Sequence, residues 1–262
     1  MNTILVLSPH LDDAAFSCGG LLAQFADAGM RVVVATVFTR SVLHPTGFAL
    51  ACQTDKGLGA DVDYMALRRE EDRRAMAILG AEPRWLDLPE APHRGYHSAA
   101  ALFAGPVAPE DTIVDAVADT FRLLQRDLRP DAVLIPSGIG QHIDHRHVIS
   151  AARRTIPDMA QVYYRDAPYV IRNPSAPPAA TLNGFERTIT EVSVGLDRKI
   201  AASAAYSSQL GFQFGGADAL EIALRAFAWA EGGGRYPAEA YYAQPGQGLE
   251  DETLQDRLSR PP

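Results

Sequence analysis

The chain has 262 residues, of which 47% are hydrophobic and 21% are charged, a composition typical of a globular protein that buries a sizeable core. Acidic residues outnumber basic ones 32 to 24, and the resulting net charge of −8 argues against nucleic acid as a partner, because phosphate binding requires clustered lysine and arginine. Cys18 and Cys52 are the only cysteines in the sequence, so a disulfide framework is not indicated.

No window of the sequence is long and apolar enough to span a membrane. The N-terminal residues lead into a strand without the basic and apolar regions of a signal peptide. We therefore expect a cytoplasmic protein. The sequence leaves open whether its copies associate into a homo-oligomer.

Taken in chain order, the hydrophobic periodicity predicts strands that alternate with helices. The predicted strands are 4–7, 31–38, 84–88, 132–135 and 161–164, and the predicted helices are 14–28, 64–79, 112–128 and 147–154. Alternation of this kind implies parallel pairing with right-handed crossovers. The predicted fold class is α/β: a Rossmann-like, mostly parallel sheet flanked by helices. No Gly-x-Gly-x-x-Gly motif opens the first helix, which argues against a dinucleotide site.

Past Pro168 the pattern changes to a turn-rich connection followed by an alternating stretch at 185–194, which we interpret as a strand near a sheet edge. Helices are predicted at 198–208 and 217–230, and the polar segment from Gly246 is expected to fray. We expect one domain over residues 1–262, in which residues 170–262 form a C-terminal extension that walls a cleft.

Two connections, 40–62 and 89–109, are long for a compact domain, and loops of this length usually serve function. We expect both to line the cleft. The second connection contributes His93 and Arg94 as candidate substrate-binding residues, although exposed loop positions are the common alternative for such side chains.

Two polar motifs each follow a predicted buried strand. The first is Ser8-Pro9-His10-Leu11-Asp12-Asp13, and the second is Gln141-His142-Ile143-Asp144-His145. Ligands of open α/β sheets bind outside the carboxyl ends of the strands, so loops on neighbouring strands would face one cleft.

A metal site is the interpretation that accounts for both motifs together. A catalytic Zn²⁺ takes about three histidine or carboxylate ligands and keeps one position for water, whose pKa it lowers to about 7. His10, Asp13 and His145 would supply that set, with Asp12 as the adjacent base. A helix cap would explain Asp13 alone, but it does not explain three nearby histidines at 142, 145 and 147 opposite a His-x-Asp-Asp loop.

On these motifs the chain resembles the PIG-L, or LmbE-like, family of zinc-dependent de-N-acetylases. The family motifs are His-Pro-Asp-Asp-Glu and His-x-Asp-His-x-x-Val, and the second is complete here at residues 142–148. The first departs at Leu11, which lacks the rigidity of proline, and at Ala14, which removes a carboxylate from beside the metal. No expected ligand is lost.

The resemblance implies roles for individual residues. His10, Asp13 and His145 would be metal ligands, and Asp12 would be the general base. His142 would stabilise the oxyanion and help to protonate the leaving amine, with Asp144 orienting it. Arg68, in the weaker match Arg68-x-x-Glu71, would contact substrate, although residues 68–72 also fit a solvated helix face held by ion pairs. Further weak matches are Asp166-Ala167-Pro168-Tyr169 and Lys199 ahead of Tyr206-Ser207-Ser208-Gln209.

The implied activity is hydrolysis of an N-acetyl group from an N-acetylglucosamine-type sugar or conjugate, with Zn²⁺, Fe²⁺ or another divalent metal as cofactor. Two alternatives stay open. One is an inactive metal-binding relative, suggested by Leu11 and Ala14. The other is a non-haem Fe(II) oxygenase, because His10-Leu11-Asp12 with a distant histidine also spells a facial triad.

Overall fold

The structure, a computed structural model, describes residues 2–156 and 159–247. Within these residues, seven strands form one sheet in the order β3-β2-β1-β4-β5-β7-β6. The strands are β1 Thr3–Ser8, β2 Arg31–Phe38, β3 Glu82–Leu88, β4 Ala132–Pro136, β5 Ala160–Tyr164, β6 Glu186–Glu191 and β7 Ala238–Ala243. The segment predicted to fray lies outside the described residues from position 248 onward.

Helices connect the strands and cover both faces of the sheet. They are α1 Asp13–Asp27, α2 Gly47–Thr54, α3 Tyr64–Leu79, α4 Ala99–Phe103, α5 Ile113–Leu128, α6 Ile143–Thr155, α7 Tyr169–Arg172, α8 Leu196–Ala204, α9 Ser207–Phe214 and α10 Ala217–Glu231. Two short 3₁₀ helices lie at Ala91–His93 and Ala180–Leu182.

The first five strands run parallel, whereas β7 is antiparallel to β5 and β6. β1 pairs with β2 on one side and with β4 on the other. The strand order therefore reverses between β1 and β4, and a crevice opens outside their carboxyl ends. Both polar motifs follow these two strands, so the expected α/β fold and the neighbouring placement of the motifs are confirmed.

Consecutive residues of β1 point to opposite faces, and both faces are buried. Ile4 and Val6 join the core beneath α1, α3 and α8, while Leu5 and Leu7 join the core beneath α5 and α6. This double burial explains why β1 is a continuous apolar run.

In the part of the chain that the structure describes, no helix is long and apolar enough to cross a membrane.

The second motif lies on a helix, which the sequence did not predict. The helix predicted at 147–154 begins at Ile143, so Asp144 and His145 occupy its first turn. His142 takes the N-cap position, where its ring nitrogen accepts the backbone N–H of Asp144. An imidazole in a position that usually holds serine, threonine, aspartate or asparagine explains why the predicted start was too late.

The C-terminal extension differs from the prediction in two respects. The helix predicted at 198–208 is two helices, α8 and α9, and the strand β7 was not predicted. Glu239, a charged residue inside β7, obscures the strand pattern. Its carboxylate is buried, where it accepts the backbone N–H groups of Gly20 and Leu21 and pairs with Lys199 at 2.7 Å. The extension is thereby fixed to α1.

The close approach of α1 and α8 leaves no room for a side chain at Gly195. A Cβ there would lie 2.0 Å from the backbone oxygen of Gly20. Gly195→Ala should therefore lower the free energy of unfolding by about 1–3 kcal/mol, as overpacking does. Gly211→Ala, in the middle of α9, is the matched control, because a Cβ there would meet no other atom within 4 Å. That variant should gain up to about 1 kcal/mol from helix propensity. Urea denaturation measures both, and equal stability of the two variants would contradict this packing.

Candidate active site

Three predicted ligands converge in the crevice between β1 and β4. His10 and Asp13 come from the loop after β1 and the start of α1, and His145 comes from the first turn of α6. The Oδ2 atom of Asp13 lies 3.2 Å from His10 Nδ1 and 3.2 Å from His145 Nε2. One ligand atom from each residue lies within 4.8 Å of the other two.

The first loop holds these side chains by its own hydrogen bonds. The Ser8 hydroxyl donates to the carbonyl of His10 at 2.7 Å and accepts the N–H of Ala14. The backbone N–H of His10 donates to Asp13 Oδ2. Of the two residues that depart from the family motif, Leu11 is fully buried in the core and Ala14 is buried in the first turn of α1.

Asp12 has a φ of 148°, a conformation that residues other than glycine rarely adopt. It sits at the N-cap of α1 but makes no side-chain cap. Its carboxylate instead lines the cavity beside His10 and Asp13. The strained backbone of Asp12 is thus found where the carboxylate lines the cavity and does not cap the helix.

Besides Asp13, each of the two histidines contacts a further carboxylate. Asp144 Oδ2 lies 3.0 Å from His10 Nε2, and Asp166 Oδ1 lies 2.7 Å from His145 Nδ1. Asp166 is itself held by the Ser137 hydroxyl and the N–H of Ile139. Carboxylates in this position fix the imidazole tautomer, so that the other ring nitrogen keeps its lone pair for a metal. Asp166 occurred in a weak family match, but its role was not predicted.

The residues present fit a divalent metal. Among the described residues, His145 Nε2 is one of the few buried polar atoms that lack a hydrogen-bond partner, and it faces the Asp13 carboxylate. Two imidazole nitrogens and one carboxylate oxygen form the donor set of a catalytic zinc site, which leaves a position for water or substrate.

The charges around the centre favour a cation. Burial alone would lower the pKa of His145, but Asp13 and Asp166 raise it to about 9. Burial would raise the pKa of Asp13, yet the neighbouring imidazoles His145 and His10 hold it well below the usual range. The surplus of carboxylates creates a negative potential where the ligand atoms meet, which attracts a proton to His145 and would equally attract a metal ion in its place.

Arg68 contacts the predicted base directly. Its Nη2 atom donates to Asp12 Oδ2 at 3.2 Å and to the carbonyl of Leu11 at 2.8 Å, and its Nη1 atom donates to Glu90 at 3.0 Å. Burial raises the pKa of Asp12 to about 7, although the Arg68 charge opposes the shift. A base with a pKa near neutrality is well matched to proton transfer at physiological pH.

The sequence also allowed residues 68–72 to form a solvent-exposed helix face. This alternative is wrong at three of the five positions. Arg68, Glu71 and Asp72 are buried. Glu71 accepts the N–H of Ser208 and the hydroxyls of Ser207 and Ser208 at the start of α9. Asp72 accepts the hydroxyl of Tyr206 and the indole N–H of Trp85. This face of α3 therefore holds the C-terminal extension against the site.

Asp144 was predicted to orient the His142 ring, but its carboxylate does not hydrogen-bond to that ring in the structure. The Asp144 carboxylate is 4.0 Å from His142 Nδ1 and bonds instead to His10. Only the backbone N–H of Asp144 reaches the His142 ring, at 3.1 Å. Burial and the nearby charge of His10 lower the pKa of His142 to about 3, and the opposing effect of the Asp144 carboxylate is smaller.

A cavity of about 270 Å³ opens above these residues. The connection 40–62 contributes Phe48, Cys52, Asp55 and Lys56, and the connection 89–109 contributes Glu90, Pro92, Ala99, Leu102 and Phe103. The expectation that both connections line the cleft is therefore confirmed. Other walls come from residues beyond β5, which are Tyr169, Gln209, Phe212 and Gln213. Gly140 has a φ of 90°, and a Cβ there would collide with Tyr169.

Two predicted substrate-binding residues do not line this cavity. His93 faces a separate narrow cleft beside Val42 and Pro45. The guanidinium of Arg94 lies behind the site, where it pairs with Asp111 and Asp144. The sequence placed both residues on the correct loop but could not show which side chains turn away, because the Ala91–His93 turn sets their direction.

A family model described as PIG-L, GlcNAc-PI de-N-acetylase, matches residues 5–156, which is more than half of the chain. The chain belongs to the PIG-L family. The matched region contains both motifs and the three predicted ligands, so the family resemblance seen in the sequence is confirmed.

Several proteins to which this chain is similar are named as deacetylases. The chain is 33% identical over 212 residues to the 2'-N-acetylparomamine deacetylase of Streptomyces fradiae, a match that covers 78% of this chain and 72% of the relative. A deacetylase of the teicoplanin biosynthesis pathway has a similar solved structure, with 28% identity, a TM-score of 0.82 and coverage of 92% of this chain and 97% of that one.

A further solved structure is described as the zinc-inhibited form of teicoplanin deacetylase, with 27% identity, a TM-score of 0.81 and coverage of 92% of this chain and 97% of that one. These relatives and the parallel sheet argue against the oxygenase alternative, whose triads usually sit on β jelly rolls.

The contact between Arg68 and Asp12 changes what Arg68→Ala should do. The sequence predicted that Arg68 contacts substrate. In that case Arg68→Ala would impair reaction of the full sugar conjugate and leave a minimal N-acetyl compound almost unaffected. Because Arg68 also contacts the predicted base, Asp12, we expect turnover of both a sugar conjugate and a minimal N-acetyl compound to fall roughly ten- to a hundredfold, the cost of one or two hydrogen bonds to a charged group. Steady-state acetate release measures this.

Arg69→Ala is the matched control for that variant. Arg69 lies on the same helix, but it donates to Thr39 and Ser41 away from the cavity. Its loss should leave turnover near that of the unmodified protein. A rise in KM for the conjugate alone in Arg68→Ala would show that Arg68 acts only on substrate.

Proposed function

We propose that this chain is a metal-dependent hydrolase that removes an N-acetyl group from an N-acetylglucosamine-type sugar or conjugate. The observation that carries the proposal is the convergence of His10 Nδ1, Asp13 Oδ2 and His145 Nε2 beneath a cavity that Asp12 and His142 also line. The deacetylase relatives support the reaction class.

His10, Asp13 and His145 would hold the metal, with Asp144 and Asp166 as the carboxylates that orient the two imidazoles. When bound, a divalent metal polarises the acetyl carbonyl and lowers the pKa of water. Zn²⁺ suits two nitrogens and one oxygen, but Fe²⁺ and other first-row ions accept the same donors. The zinc-inhibited form of teicoplanin deacetylase is a reason to compare several metals in activity assays.

Asp12 acts as the general base. Its carboxylate is buried beside the ligands and is oriented by Arg68, so it accepts the proton of the attacking water at an oxygen that faces the cavity. The departing amine needs a proton when the C–N bond breaks. Asp12, protonated in the first step, holds that proton within the same cavity and can deliver it.

His142 acts as a neutral hydrogen-bond donor. Its Nδ1 atom accepts the backbone N–H of Asp144, so the ring proton resides on Nε2. An Nε2–H in the cavity wall suits the negative charge that develops on the acetyl oxygen. The resemblance also implies that His142 helps to protonate the leaving amine, but the lowered pKa of the ring supports the oxyanion role better.

The described residues also support the proposed domain organisation. Gln209, Phe212 and Gln213 from α9 wall the cavity, and β6 and β7 extend the same sheet. We propose one deacetylase domain over residues 1–262 in which the segment from 170 onward closes the site. The inactive-relative alternative is tested by the same assays as the reaction, since it predicts metal binding without acetate release.

Alanine replacement of His10, Asp13 or His145 should reduce bound metal to well under one per chain and abolish acetate release. Each replacement removes one of three ligands, and the remaining two bind a divalent ion weakly. Elemental analysis after dialysis measures the metal. His97→Ala, at an exposed loop position, is the control and should retain full occupancy. Stoichiometric metal in all three ligand variants would refute the site.

Asp12→Asn should retain the metal and lose nearly all turnover, because the amide has the shape of the carboxylate but does not accept a proton. Acetate release and elemental analysis on the same sample separate the two effects. A variant that loses its metal would make Asp12 a ligand. A variant that keeps its turnover would show that another group is the base.

A further inference from the structure

Arg94 does not line the cavity, and it contacts the site through Asp144. Its side chain is 8% exposed, and its Nη2 atom donates to Asp144 Oδ1 at 2.7 Å. The same guanidinium donates to the carbonyl of Pro89 at 2.6 Å and to Asp111 at 3.2 Å. The ring of Phe38 lies 4.9 Å from the guanidinium carbon. Arg94 is thus held by three hydrogen-bond acceptors and one aromatic ring.

The two oxygens of Asp144 serve different partners. Oδ1 accepts Arg94, whereas Oδ2 faces His10 Nε2 at 3.0 Å and accepts the N–H of Ala91. Asp111, on the other side of Arg94, also pairs with His147 Nε2 at 2.9 Å. A continuous chain of charged hydrogen bonds therefore runs from His147 through Asp111, Arg94 and Asp144 to His10.

We propose that Arg94 is a positioning residue for the metal site. It holds the Asp144 carboxylate in the orientation that presents Oδ2 to His10, and so it sets the direction of the His10 ring. Asp111 and His147 hold Arg94 in turn. The inference rests on the proposed metal-dependent function, because orienting His10 matters only if His10 binds a metal.

An arginine is specifically required at this position. Pro89 accepts from Nη1, Asp111 from Nε and Nη2, and Asp144 from Nη2. A planar guanidinium with five N–H donors thus serves all three acceptors at once. A lysine ammonium keeps the charge, but its three donors share one nitrogen, whereas Arg94 donates from three nitrogens that are spread along the guanidinium. Arg94→Lys should therefore restore only part of what Arg94→Met loses.

The test measures binding of Co²⁺ and Zn²⁺ to the full chain. In Arg94→Met, the affinity for each ion should fall roughly tenfold, at the lower end of the effect seen for partners of metal ligands. The visible absorption bands of bound Co²⁺ should shift, because they report ligand geometry. Turnover should fall with KM nearly unchanged, since Arg94 does not line the cavity. The Co²⁺ affinity of Arg94→Lys should lie between those of the unmodified chain and Arg94→Met. If Arg94→Met does not fold, Arg94→Lys alone provides the test.

Lys199→Met is the matched control for general damage. Lys199 is also a buried cation paired with a buried carboxylate, Glu239, and it does not line the cavity. Lys199→Met should lower the Tm by about as much as Arg94→Met does, while the affinity for Co²⁺ and the Co²⁺ spectrum stay unchanged. The pair Arg94→Met with Asp144→Asn gives a second check. If Arg94 acts through Asp144, the double variant should bind Co²⁺ no more weakly than Asp144→Asn alone.

The outcomes separate this inference from the proposed function. If the unmodified chain binds no metal, both fail. If it binds metal and Arg94→Met, or Arg94→Lys where only that variant folds, has the unmodified affinity and Co²⁺ spectrum, the positioning role fails and the metal site stands. Additive losses in the double variant, or an equal loss of Co²⁺ affinity in Lys199→Met, would likewise overturn it.

Discussion

The pairing of β1 with β4 is the constraint on which the rest of the site depends. Residues that are far apart in the sequence become neighbours because these strands are hydrogen-bonded side by side at the point where the sheet order reverses. Their carboxyl ends then present His10 and Asp13 on one side and His145 on the other. The apolar, doubly buried sequence of both strands secures the pairing, so a feature of the core fixes the geometry of a polar site.

Around this junction, buried charges are arranged in two layers. Asp144 and Asp166 contact the imidazoles of His10 and His145, while Arg68 pairs with Asp12 and Arg94 pairs with Asp144. An unpaired buried charge is costly, so each of these contacts favours one arrangement over its alternatives. The C-terminal extension is held to the same framework through Glu71, whose carboxylate bonds the first turn of α9. Substrate walls and ligands are therefore positioned by one connected network.

The sequence predicted the parts of this architecture that local patterns encode. Apolar runs marked the strands, and the two motifs marked the predicted ligands His10, Asp13 and His145, which the structure brings together. What it could not predict depends on side-chain direction in three dimensions. Arg94 sits on a cavity-lining loop but turns behind the site, and the Asp144 carboxylate faces His10 rather than its sequence neighbour His142. The strand β7 escaped prediction because the glutamate at its second position is paired with groups distant in sequence.

The proposed function requires one divalent ion between the loops after β1 and β4. Anomalous diffraction from crystals grown with Zn²⁺, and separately with Fe²⁺, would locate that ion. We expect a strong anomalous peak about 2.0–2.2 Å from His10 Nδ1, Asp13 Oδ2 and His145 Nε2. A peak coordinated by other residues, or none at these three atoms in crystals of protein that releases acetate, would contradict the proposed site.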